Sequence, residues 1–252
     1  MTVDISTLDE IADLEGVCEL FGRIWPSPDG HPPTTVGLLK ALAHTENYVA
    51  GAFRGGHMLG AAVAFLGYRA NRLTLFSNQI AVEPAEGGGG VGLALQQHMG
   101  QWALQHGIDE INWTFDPTIV RNAYFFINKV GARGIDYLPD FYGGSYDPGS
   151  DSSDRVFAVW DLTLADAGGS VISSAPIALS ADSAGAPAID GDALRSDRFA
   201  MRLPTDIKAL RRTDARLADR WRQEVRLVLG SALNDGYRLV AVSRDGQYII
   251  AR

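Results

Sequence analysis

Residues 79–95 read Gln79-Ile80-Ala81-Val82-Glu83-Pro84-Ala85-Glu86-Gly87-Gly88-Gly89-Gly90-Val91-Gly92-Leu93-Ala94-Leu95. The apolar run that ends at Val82 has the pattern of a strand. From Val91 onward, apolar residues recur at Val91, Leu95, Met99 and Trp102, the period of a helix packed on one face. Between strand and helix lies a run of glycines. Without Cβ atoms, these residues can turn successive N–H groups toward one point. Those groups, together with the positive end of the helix, make an anion site suited to a phosphate or pyrophosphate. The same glycines also fit a loose loop, so the turn needs support from its surroundings.

That support comes from the next strand–helix unit, Ile108 to Phe115 and then Ile119 to Val130. A Walker phosphate loop is excluded, because no Lys-Ser/Thr pair follows the glycines. The dinucleotide fingerprint fits poorly. Its strand belongs at the chain start, and Asp116 only loosely meets the need for an acid about 20 residues on. Further out, the spacing predicts a strand at Val3–Ile5 and a helix over Leu8–Trp25, capped by Thr7 with Glu10 three residues later and ended by Pro26–Gly30. A second helix is expected over Thr34–Glu46. Strands Tyr48–Phe53 and Met58–Leu66 flank the hairpin signal Arg54-Gly55-Gly56-His57, and Leu73–Val82 feeds the glycine turn. Helix 91–106, strand 109–115, helix 119–131 and strands 133–137 and 155–162 complete an α/β architecture, a mixed central sheet with helices on both faces.

In this order the segments resemble the GNAT superfamily of N-acetyltransferases, over roughly residues 1–163. The family's signature after a sheet strand, Gln/Arg-x-x-Gly-x-Gly/Ala, aligns with Gly87-Gly88-Gly89-Gly90-Val91-Gly92. Gly90 and Gly92 fit. Gly87 stands where the family prefers Gln or Arg, and Gly89 is uncharged where relatives are often basic. Trp113-Thr114-Phe115-Asp116-Pro117, Arg121-Asn122-Ala123 and Lys129-Val130-Gly131-Ala132 look like the strand, the helix and the helix ending of that fold. Tyr137-Leu138-Pro139-Asp140-Phe141-Tyr142-Gly143, with Asp154-Arg155 beyond, is similar to a branch of predicted members. The resemblance implies acetyl-CoA, or another acyl-CoA, as cofactor. The glycine turn would hold its pyrophosphate, the strand edge Ile80-Ala81-Val82 its pantetheine amides, and Asn122 would contact it from the helix. It implies an N-acyltransferase with a small amine as acceptor.

Such chemistry needs a base for the ammonium and an acid for the leaving thiolate. The family's Tyr before the helix-ending Lys is Ile127 here. The nearest phenol is Tyr124, a candidate acid that also reads as a packing residue. The strand before the glycines offers Ser77, Asn78 and Gln79, none a carboxylate. Asp116 is the candidate base or substrate anchor; alternatively it caps the next helix or bonds the turn made with Pro117. Asp140 and Tyr142 are candidates for the acceptor pocket. The departures at Gly87, Gly89 and Ile127 keep open a GNAT-fold protein that binds CoA without transferring an acyl group.

Composition narrows the field. The 252 residues are 46% hydrophobic and 21% charged, with a net charge of −8. No basic face marks a nucleic-acid binder, and no apolar window approaches the ~20 residues of a membrane span. One cysteine, Cys18, excludes a disulfide framework or a cysteine-rich zinc site and reads as a buried thiol. The five histidines show no metal spacing, so no metal is expected. Met1-Thr2-Val3-Asp4 carries no secretory pattern, and the cytoplasm is the expected location. The oligomeric state is left open. Residues 164–197, rich in Ala, Gly, Ser, Asp and Pro, read as a flexible linker. Residues 198–252 read as a small C-terminal α+β module with a helix over Asp214–Asp235 and a hairpin around Arg244-Asp245-Gly246. It is too small to hide its apolar face alone, and Trp221 is expected at its junction with the first domain.

Overall fold

The computed structural model describes residues 3–26, 30–143, 153–164 and 174–252. They pack as two units, Met1–Asn112 with Asp161–Thr163, and Trp113–Trp160 with Leu164–Arg252. The divisions fall inside two strands, at 112/113 and 160/161, and at 163/164, just before the segment 164–197.

The first unit begins with β1 (Asp4–Thr7), α1 (Ile11–Ile24), α2 (Val36–His44), β2 (Tyr48–Arg54), β3 (His57–Arg69) and β4 (Arg72–Val82). It continues with α3 (Val91–Gln105) and the start of β5 (Glu110–Phe115). β1 to β4 pair antiparallel in order, and β4 pairs parallel with β5 at Leu75↔Ile111 and Phe76↔Asn112. A crossover helix between parallel neighbours is what the strand–glycine–helix pattern requires. Leu14, Val17, Leu20 and Phe21 of α1 and Leu39 of α2 bury against Val49, Ala61, Val63 and Ala81. The neighbouring Gly60 faces the other way: a Cβ there would meet Ala81 O at 2.8 Å, Leu95 at 3.0 Å and Val91 at 3.3 Å. Alternation along β3 thus places α1 and α2 on one face and α3 on the other, the predicted mixed sheet covered on both sides. Cys18 is buried, and burial pushes its thiol pKa up.

The second unit holds the end of β5, then α4 (Val120–Tyr124), which runs into a π-helical turn, Phe125–Lys129. There follow β6 (Arg133–Leu138), β7 (Arg155–Asp161), β8 (Ile177–Ala181), β9 (Pro187–Ile189) and β10 (Arg198–Arg202). α5 (Ile207–Thr213), α6 (Ala215–Val225), a second π-helical turn (Arg226–Gly230), α7 (Ser231–Asn234), β11 (Arg238–Val242) and β12 (Gln247–Ala251) close the chain. The strands lie in the order β7-β6-β11-β12-β10-β8-β9. Only β10 and β8 are parallel within this row. β11 reaches β6 at Leu239↔Gly134. A Cβ on Gly134 would sit 2.8 Å from Val156 and 3.0 Å from Leu239, so glycine is what lets the C-terminal strand come this close. Trp221 is 1% exposed, and its Nε1 donates to Gly185 O at 3.1 Å.

Several expectations need correction. The first helix starts at Ile11 with Glu10 as N-cap, not at Leu8 with Thr7 as cap. Thr7 pairs with Ala50, and Leu8 donates its N–H to Val49 O. Strand pairing claims both residues before the helix can. The described part of 164–197 is not a flexible linker: it forms β8 and β9, with Ala178 and Leu179 buried and Asp182 Oδ1 accepting from Ala184 N and Ala186 N in the turn. The remainder, 165–173, lies outside the described residues, as do 27–29 of the expected break after the first helix. The helix expected over 214–235 is present, α6 running without a break through the π-helical turn into α7, but a further helix that was not expected, α5, precedes it. Asp206 and Asp214 cap α5 and α6, each accepting through Oδ1 from Ala209 N and Leu217 N respectively, and so keep the two helices apart.

Candidate active site

In the first unit the glycine turn is an open cradle. β4 carries one extra residue, Asn78, against β3, because Val63 pairs with Gln79 while Ala64 pairs with Ser77. Such a bulge bends a strand and recurs beside active sites. Beyond it, Ile80, Ala81 and Val82 pair with Ala62, Ala61 and Gly60, while the register with β5 covers only Leu75 and Phe76. A short turn, Pro84–Glu86, leads into the glycines. Gly88 and Gly90 take φ of +90° and +86°, and a Cβ on either would meet nothing within 4 Å. Gly90 is the N-cap of α3 and caps it with no side chain. Among the described residues no hydrogen bond engages the N–H groups of Val91, Gly92 and Leu93. Glycines at left-handed φ, empty space above them and unbonded first-turn amides are what an anion at a helix N-terminus requires.

The cradle's charge is set by residues far away in sequence. Arg23 of α1 pairs with Glu83. Arg54, the last residue of β2, donates Nη1 to Glu86 Oε1 at 2.9 Å. Both acids flanking the turn are therefore countered by arginines that the motif itself lacks. Neither was legible as a site residue in the sequence.

In the second unit, Asp116 follows β5. Its Oδ1 accepts from Thr118 N at 2.8 Å and Thr118 Oγ1 at 2.6 Å, and its Oδ2 faces Arg211 Nη2 at 3.4 Å. It bonds the turn made with Pro117; the N-cap of α4 is Ile119, with no side-chain bond. Tyr248, wholly buried, donates its hydroxyl to Pro117 O at 2.8 Å, and burial raises its pKa. Tyr124 closes α4. Arg244, from the turn between β11 and β12, stands over its ring at 5.3 Å, and its hydroxyl has no hydrogen-bond partner among the described residues. Asn122, two residues earlier, is exposed. Ile127, at the place of the family Tyr, is 2% exposed in the π-helical turn. Asn128 Oδ1 in that turn accepts from Val242 N at 2.6 Å. Arg211, Tyr248, Arg244 and Val242 thus bring the C-terminal segment onto the turn and helix that follow β5.

Asp140 and Tyr142 lie close together around a buried charge network. Tyr142 Oη is 3.1 Å from Thr114 Oγ1 on β5. Asp140 has φ of +48°, and its Oδ2 accepts from Arg226 Nη2 at 3.2 Å. Asp154 takes Arg226 Nε at 2.9 Å and Nη2 at 2.5 Å, Tyr137 Oη at 2.8 Å and Asp140 N at 3.1 Å. Burial, then the adjacent Asp154, raises the Tyr137 phenol, and Asp154 holds the Arg226 guanidinium charged. No helix among the described residues is long and apolar enough to cross a membrane, and no cluster of three metal-ligating side chains occurs among them.

A model of the acetyltransferase (GNAT) family matches residues 14–131. No curated protein matches the sequence. Among solved structures, the chain is similar to the ribosomal-protein-S18-alanine N-acetyltransferase of Escherichia coli, at 15% identity and a TM-score of 0.52 over 66% of this chain and 97% of that one. The putative acetyltransferase yncA of Salmonella typhimurium, solved with its cofactor acetyl-CoA, gives 16% and 0.53 over 68% and 99%. Naa50 of Arabidopsis thaliana, in complex with a bisubstrate analogue, gives 15% and 0.51 over 64% and 99%. At these identities the structures establish the fold, and the family model spans the strand, glycine turn and helix that define it. Segment 14–131 of the chain is thus similar in sequence to the GNAT acetyltransferases, and the fold is theirs.

Proposed function

We propose that the protein is an acyl-CoA-dependent N-acyltransferase acting on a small amine, with acetyl-CoA as the acyl donor. The observation that carries this reading is the open glycine cradle with unbonded helix amides in a chain of GNAT fold. Gly87, Gly88, Gly89, Gly90, Val91 and Gly92 hold the pyrophosphate, Ile80–Val82 offer backbone groups to the pantetheine arm, and Asn122 contacts the cofactor. When bound, acetyl-CoA supplies the activated acyl group. Tyr124 holds a proton on its unbonded hydroxyl for the leaving thiolate, and Asp140 and Tyr142 line the acceptor pocket. The acidic net charge favours a cationic acceptor over a polyanionic one.

Asp116 serves this reading best as an anchor. Two donors occupy its Oδ1, and Arg211 faces the other oxygen. Asp116→Asn is expected to lower the melting temperature through loss of a charge-assisted contact, about 1–3 kcal/mol, with a smaller effect on kcat than Tyr124→Phe. Tyr124→Phe is expected to lower kcat ~10²-fold, the scale of a lost general acid, at unchanged melting temperature. A ~10²-fold fall in kcat for Asp116→Asn without loss of stability would make Asp116 the base instead.

A second reading, a GNAT-fold protein that binds CoA without transferring the acyl group, is favoured by one observation. Asp116, Asp140 and Asp154 each pair with an arginine, which leaves none of them an unpaired proton acceptor. Release of free thiol from acetyl-CoA in the presence of an amine panel separates the two readings.

A further inference from the structure

The glycine motif lacks its usual charge, yet a guanidinium stands beside it. Arg54 ends β2 and touches the turn through a single contact, Nη1 to Glu86 Oε1 at 2.9 Å. Its Nε and Nη2 make no hydrogen bond among the described residues, and its side chain is one-third exposed, at 33%. Glu86 lies against the glycines: Gly89 N donates to Glu86 O at 3.0 Å. A Cβ built on Gly89 would be 3.7 Å from Glu86 Oε2. The carboxylate that holds Arg54 is therefore in van der Waals range of the cradle floor. Both groups belong to the first unit.

We propose that Arg54 is a ligand of the cofactor's pyrophosphate and replaces in space the basic residue missing at Gly87 and Gly89. This rests on the acyl-CoA reading above. A guanidinium suits the role because its donors are fixed in a plane and match phosphate oxygens in pairs. Glu86 plays two parts: it orients Arg54 toward the turn in the empty protein, and it competes with the incoming phosphate for the same cation. The ion pair is partly exposed and contributes little to stability, so the guanidinium is transferred at small cost to the fold.

The alternative is that Arg54 only neutralises Glu86, and a double substitution separates the two roles. The probe is CoA, titrated calorimetrically into the full chain, with the melting temperature of each variant as the control for folding. Arg54→Gln is expected to weaken binding about 10-fold or more, the scale of a lost charge-assisted hydrogen bond. Arg54→Lys, which keeps the charge without the fork, recovers part of that loss. Glu86→Gln binds as tightly as the parent or more tightly. The decisive variant is Arg54→Gln combined with Glu86→Gln, which stays as weak as Arg54→Gln alone. Recovery of parent affinity in the double variant would show that Arg54 merely cancels Glu86, and would overturn the proposal. Unchanged affinity in Arg54→Gln would overturn it as well. Absence of CoA binding by the parent protein would instead refute the cofactor reading on which the proposal stands, and the proposal with it.

Discussion

Gly90→Glu is expected to abolish measurable CoA binding, a loss of at least ~100-fold in affinity. Three effects add. The residue has φ of +86°, where an L side chain is strained by about 1–3 kcal/mol. The new side chain enters the empty space above the turn. Its carboxylate sits at the helix N-terminus and competes with phosphate for the amides of Val91, Gly92 and Leu93. Gly90→Asn separates these contributions, because Asn tolerates left-handed φ and adds no charge. It should bind CoA far better than Gly90→Glu. Calorimetry with both folded variants checks the ordering; parent-like affinity in Gly90→Glu would remove the cradle from the cofactor site.

The second large effect is on stability. Asp154 is 4% exposed, and it receives both ends of the Arg226 guanidinium together with the Tyr137 hydroxyl. Asp154→Ala removes the buried carboxylate that Arg226 and the Tyr137 hydroxyl share and leaves Arg226 with the more exposed Asp140, and breaking a buried pair is costly. Arg226 is one-third exposed, at 34%, and water relieves part of the penalty. About 3 kcal/mol is expected, read as a shift in the denaturation midpoint. Asp154→Asn keeps the shape and some hydrogen bonds and should cost less. Because the network joins Tyr137 and Asp140 to Arg226 and to Arg222, whose Nη1 is 3.7 Å from Asp154 Oδ2, in the C-terminal helices, both regions should unfold together. A midpoint within about 0.5 kcal/mol of the parent would show that the network is not what holds the C-terminal segment there.

Much of the fold was legible because periodicity is local. β4, the glycine turn, α3 and β5 fall within a residue or two of their expected bounds, since each carries its own pattern of apolar residues and breakers. What escaped was decided by tertiary pairing. β8 was hidden in an Ala/Ser-rich run and becomes a strand because β10 and β9 pair with it. Thr7 and Leu8 leave the predicted first helix because β2 claims them. The site divides the same way. The glycine turn could be read from the strand before it, the helix after it and the strand–helix unit beyond. Arg23 and Arg54 could not, because only the folded sheet brings α1 and the end of β2 to the turn. Nor could the approach of Arg211 to Asp116, from 95 positions away.

The central claim is acyl transfer from acetyl-CoA to an amine. Free thiol released from acetyl-CoA should be followed in the presence of a panel of small cationic amines, with parent protein, Tyr124→Phe and Gly90→Glu side by side. Amine-dependent thiol release is expected from the parent, at a ~10²-fold lower rate from Tyr124→Phe and not at all from Gly90→Glu. Calorimetric binding of CoA by the parent with no thiol release for any amine, and no acylated product, would contradict it and leave a GNAT-fold protein that binds the cofactor without using it.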